Sequence, residues 1–119
     1  MSYDFNNDTP IYLQIIDAIK REIISKKYKA GEKLPSVREL SLIFSVNPNT
    51  IQKALGELEE IGLIFTERTN GKFVTNDEKI IEKVKMNSLK EMLNEFFNSM
   101  AEMGFDKNEV IDMLNKGDL

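Results

Sequence analysis

The chain contains no cysteine and no histidine. Without cysteine there is no disulfide framework and no cysteine-based zinc site, which fits a reducing, cytoplasmic setting. Without histidine, the side chain that titrates nearest neutrality and most often ligates metals is missing. Carboxylates and lysines remain for chemistry. No nucleophile stands beside a recognisable base, however, and there is neither a GxGxxG nor a Walker-type phosphate loop. An enzyme is therefore not expected, and no metal or cofactor site is identified. Long apolar runs are also lacking. Nothing approaches the roughly 20 consecutive residues of a membrane-spanning helix, so no membrane partner is expected. The stretch Met1–Asp8 has neither a basic nor an apolar region and is not expected to act as a signal peptide. What is present, 41% hydrophobic and 30% charged residues, is the make-up of a soluble globular protein. Its 119 residues suit one domain, or a small domain with an appendage.

The net charge of −4 speaks against a nucleic-acid partner only until its distribution is read. Residues 1–76 hold ten Lys/Arg and ten Asp/Glu, whereas residues 77–119 hold six and ten. The acidity belongs to the C-terminal segment. A neutral N-terminal segment can still present one positive face to a phosphate backbone.

Periodicity and capping signals predict a mainly α-helical chain with a small β-hairpin. Thr9-Pro10 opens a first helix, whose stripe is Tyr12, Ile15, Ile16, Ile19 and Ile23. Gly31 marks a turn, and a short extended Lys33-Leu34 leads to Pro35. Ser36 and Glu39 form a capping box for a short helix over Val37–Phe44. Ser45-Val46 is a turn. Asn47-Pro48 caps the next helix, buried through Ile51, Ala54, Leu55 and Leu58 and ended by Gly62. Leu63–Glu67 and Lys72–Thr75 read as strands around Asn70-Gly71, a strong hairpin signal. From Asp77 a long helix runs to Gly104, and a second capping box at Asp106–Glu109 opens a last short helix. The expected division is a winged helix-turn-helix over 1–76 and a helical segment over 77–119.

Two short helices joined by a tight turn, the second beginning with polar residues, form the layout of a helix-turn-helix. Asn47, Asn49, Thr50, Gln52 and Lys53 crowd the start of that second helix, and Pro48 stands among them. Asn and Gln can pair with adenine, Thr can meet a base edge or a thymine methyl, and Lys can reach guanine or phosphate. The helix start also attracts phosphate through its free N–H groups and its dipole. Arg68 and Lys72 stand near the hairpin tip, where a wing holds phosphates or enters the minor groove. Each residue alone is better explained as a cap or as solvated surface. Their ordered combination points to double-stranded DNA.

The segments Leu34–Leu40, Val46–Ala54 and Leu58–Ile64 resemble the GntR family of bacterial regulators. Pro10–Ile15 and Gly71–Val74 fit it too, so the resemblance covers about residues 9–75. Val46–Thr50 and the short two-helix tail resemble its YtrA-like subfamily. The resemblance implies base contact by Arg38 with Ser36 beside it, recognition-helix contacts by Asn47, Asn49, Thr50, Gln52 and Lys53, and a wing-tip glycine at Gly71. Two positions depart from the pattern: Pro48 cannot read a base, and Thr69 replaces a first wing glycine. The resemblance further implies a repressor, with transporter genes among its targets. No effector is identified.

The tail stripe of Ile81, Val84, Leu89, Met92, Leu93, Phe96, Phe97 and Met100 must be buried somewhere. It could complete the monomer's own core or line a ligand pocket. The expected use is homodimerisation, because 43 residues enclose little core and Met and Phe suit adaptable helix surfaces. YtrA-like regulators imply the same. A two-fold dimer implies an inverted-repeat operator. The competing reading is a winged-helix protein-interaction module without specific DNA binding, favoured by the net acidity and by Pro48.

Overall fold

Apolar residues at steps of three and four put four isoleucines on one side of the first helix, and that side is buried. The computed structural model describes residues 5–117. Helix α1 spans Ile11–Ile24, with Ile15, Ile16, Ile19 and Ile23 in the core. Its start differs from the expectation. Pro10 is the N-cap and not the first helical residue, because its ψ of 142° keeps it extended, and no side chain caps the helix. Gln14 reaches back instead. Its Nε2 donates to the Asn6 and Thr9 carbonyls, each at 2.9 Å, and its Oε1 accepts from the Asn6 N–H at 3.1 Å.

The next two helices start where their caps predict. Helix α2 spans Val37–Phe44. Ser36 Oγ accepts from the Glu39 N–H at 3.1 Å, and Glu39 Oε1 accepts from the Ser36 N–H at 3.0 Å. At the far end Ser45 turns left-handed, with φ of 57°, and the Ser41 hydroxyl fixes the turn by donating to the Val46 carbonyl at 2.6 Å. Helix α3 spans Pro48–Glu60, and Asn47 Oδ1 caps it by accepting from the Asn49 N–H at 2.8 Å. Gly62, at φ of 79°, takes the chain out of the helix, a conformation an L side chain resists.

Strands β1, Ile64–Glu67, and β2, Gly71–Val74, pair antiparallel with Ile64 opposite Val74 and Glu67 opposite Gly71. The loop between them is Arg68–Asn70. The extended segment before α2 lies along β2: Leu34 N–H donates to the Lys72 carbonyl at 2.8 Å, and Val74 N–H to the Glu32 carbonyl at 2.9 Å. This fixes the hairpin against the start of α2. Leu40, Phe44, Ile51, Leu55, Leu58, Leu63, Ile64 and Val74 join the α1 isoleucines in one core. Each such side chain contributes about 1.5–3 kcal/mol by leaving water.

Helix α4 spans Glu78–Glu102 and α5 spans Lys107–Lys116. The chain forms two compact units that divide between Val84 and Lys85, later than the 76/77 boundary read from the sequence. The reason is that Ile81 and Val84 are buried in the first unit's core. In the second unit Asp106 and Glu109 form the expected capping box, at 2.8 and 3.2 Å. Val110 is buried there, while Leu89, Met92, Leu93, Phe96, Ile111 and Leu114 are exposed. Among the described residues no helix is long and apolar enough to cross a membrane.

Candidate nucleic-acid interface

The core stripe of α3 decides what its other side presents. Ile51, Ala54, Leu55 and Leu58 are buried, which at 100° per residue leaves Asn49, Gln52, Lys53 and Gly56 on the opposite face. Asn49, Gln52 and Lys53 are exposed accordingly, and Thr50 is half-buried at the margin. Arg38, in the first turn of α2, is exposed too. Among the described residues neither Arg38 nor Arg68 is ion-paired. Both guanidiniums are therefore available to an incoming phosphate or guanine edge.

The start of α3 offers phosphate fewer donors than its sequence suggests. Pro48 has no N–H, Asn49 N–H is taken by Asn47 Oδ1, and Thr50 N–H donates to the Asn47 carbonyl at 2.9 Å. What remains outward is the Asn47 amide NH2, the side chains that follow, and the helix dipole. Ser36 is in the same position, since its oxygen already serves as the α2 cap and only its hydroxyl proton is spare. The Ser36 N–H, followed by its side chain, holds the Glu39 carboxyl below the usual carboxylate range.

The hairpin is tied to α3 by a polar cluster that the sequence does not announce. Lys72 Nζ donates to Glu59 Oε1 at 2.8 Å and to Thr66 Oγ1 at 2.7 Å, and the Thr66 hydroxyl in turn donates to Glu59. The Lys72 ammonium, then the Thr66 hydroxyl, hold the Glu59 carboxyl below its ordinary value. Lys72, expected from the sequence near the tip to hold phosphate, thus spends two of its three N–H donors on Glu59 and Thr66. Arg68 and Gly71 are exposed at the tip, and Phe65 stacks on Phe73 behind them with ring centroids 5.7 Å apart. Gly71 has φ of 104°, and a Cβ there would come within 3.2 Å of Lys33 Cε. Lys33 therefore sits under the wing tip and shares with Ser36 and Arg68 an open groove between the α2 start and the hairpin. Sequence reasoning missed Lys33 because its neighbour Phe73 lies far along the chain. The spacing puts Tyr12 only in the core stripe, yet its ring carries Lys53 Nζ at 3.8 Å from its centroid.

The tail residues named from the sequence differ in burial. Leu89, Met92, Leu93 and Phe96 are exposed, and Phe97 and Met100 are half-buried. Ile81 and Val84 belong to the first unit's core. They are not part of an exposed interface.

Comparison with known proteins agrees with this arrangement. The family model described as "Bacterial regulatory proteins, gntR family" matches residues 11–74. The HTH-type transcriptional regulator YhcF of Bacillus subtilis is 38% identical over 94% of this chain and 93% of its own. The HTH-type transcriptional repressor YtrA of the same organism is 43% identical over 77% of this chain and 72% of its own. A solved GntR family transcriptional regulator from Listeria monocytogenes superposes with a TM-score of 0.86 at 41% identity, covering 94% of this chain and 98% of that one. The AraR DNA-binding domain in complex with operator ORX1 superposes with a TM-score of 0.58 at 29% identity, over 63% of this chain and 95% of that one. The chain is a winged helix-turn-helix transcription regulator, not an enzyme, and belongs to the GntR family of bacterial regulatory proteins.

Proposed function

We propose that the chain acts in the cytoplasm as a repressor that binds an inverted-repeat operator as a homodimer. The observation that carries the DNA reading is the exposed, unpaired Arg38 beside an α3 face built of Asn49, Gln52 and Lys53, with Thr50 at its edge. In this reading Arg38, Asn49, Thr50 and Gln52 read base edges, while Arg68, Lys33 and the Asn47 amide hold the backbone. Lys72 contributes indirectly, by fixing the hairpin to α3. The repressor names of the relatives and the operator bound by AraR support this reading. Transporter genes are proposed targets on the resemblance to YtrA-like regulators.

The test is selection from a pool of random duplexes, followed by binding at matched salt. Enrichment of an inverted repeat is expected. Arg38→Ala should then weaken binding by about 1–3 kcal/mol and relax the preference at one base pair per half-site. Thr50→Ala should weaken it less. If neither variant changes binding to the selected duplex, the assignment of readers is wrong. A pool that yields no enrichment even at low salt sinks the operator reading and favours a protein-interaction module.

A further inference from the structure

The Lys53 ammonium does not swing freely from the recognition helix. It lies 3.8 Å from the centroid of the Tyr12 ring, on α1, in cation–π contact. Tyr12 is partly buried against the core, so its ring has a fixed place. Among the described residues no carboxylate ion-pairs with Lys53. A lysine side chain ordinarily loses much rotamer freedom when its ammonium is immobilised on a ligand. Here a large part of that freedom is already gone, while the ammonium keeps its charge and the N–H groups that point away from the ring.

The direction of the side chain also matters. Lys53 shares the outward side of α3 with Asn49 and Gln52, but its contact with Tyr12 of α1 draws its head toward α1 and off the centre of that face. A guanine in the groove would have to pull it off the ring. A phosphate flanking the groove would meet it where it already is. Building on the DNA reading above, we propose that Tyr12 is a positioning residue that holds Lys53 as a preformed phosphate anchor, leaving base reading to Asn49, Thr50 and Gln52.

Binding of the full chain to the selected duplex and to a random-sequence duplex tests this across a salt series. Tyr12→Leu should weaken both to the same degree, by about two- to fivefold, the worth of one cation–π contact at an exposed site. Tyr12→Phe, which keeps the ring face, should bind like the parent. Lys53→Ala should lower the slope of log affinity against log salt by about 0.9, the signature of one lost phosphate contact. Adding Tyr12→Leu to Lys53→Ala should cost nothing more. Because that comparison is made within one background, a general loss of stability cannot mimic it. An equal loss from Tyr12→Leu with and without Lys53 overturns the proposal, as does a Lys53→Ala effect confined to the selected duplex. A parent chain that binds neither duplex overturns the DNA reading itself, whereas a parent that binds while Tyr12→Leu matches it overturns only the role of Tyr12.

Discussion

Gly56 sits on the outward face of α3, one turn beyond Gln52, in ordinary helical geometry. A Cβ placed there would meet nothing within 4 Å. A glycine in a helix interior costs about 1 kcal/mol relative to alanine, through the backbone freedom it loses on folding. Gly56→Ala should therefore raise the unfolding free energy by about that amount, read as a higher midpoint in urea with an unchanged slope. An unchanged or lower midpoint would mean that α3 does not hold this helical geometry at Gly56. Residue-scale features of this kind were legible where they are local. Ser36, Asn47 and Asp106 cap the helices their spacing predicted, because an N-cap is decided within four positions. The Lys53–Tyr12 contact was not legible, since helical period says which face a residue is on and nothing about the neighbour across the interface.

At the scale of elements, the hairpin and α3 are joined by the Glu59, Thr66 and Lys72 side chains, and this joint has a pH dependence of known sign. The Glu59 carboxyl is lowered in the folded chain, first by the Lys72 hydrogen bond and then by Thr66. A lowered carboxylate contributes stability above its unfolded pKa, and that contribution is lost as pH falls through the folded value. Glu59→Gln should thus be less stable than the parent at neutral pH. The gap should close as the solution is acidified below the ordinary carboxylate range, followed by denaturation at a series of pH values. Hydrogen exchange at β1 and β2 should localise the loss to the hairpin. A gap that stays constant with pH would show that the Glu59 charge contributes nothing. The hairpin itself is readable from Asn70-Gly71 between two apolar runs, but the tie between Lys72 and Glu59 is not. The two are 13 residues apart, and only the hairpin register brings them together.

At the scale of the whole molecule, the apolar residues of α4 divide between two compact units, and the sequence pattern reads them as one stripe. Ile81 and Val84 are buried in the first unit's core, whereas Leu89, Met92, Leu93 and Phe96 of the second unit are exposed. The distinction could not be seen in the order of residues, because both sets keep helical spacing. It separates two roles that substitution can tell apart. Val84→Asp buries a charge in the first unit and should lower its stability by about 3 kcal/mol or more. Leu93→Asp places the same charge on the exposed stripe of the second unit and should leave the first unit's unfolding almost unchanged. If that stripe is where two copies meet, Leu93→Asp should sediment as a monomer at concentrations where the parent is a dimer. Its affinity for a two-half-site duplex should then fall by about a hundredfold or more, because the second half-site no longer gains from the first. Binding to a single half-site should be unaffected, which distinguishes lost pairing from a damaged reading head. A parent chain that is itself monomeric at micromolar concentration would remove the homodimer from this account and leave the exposed stripe to some other partner.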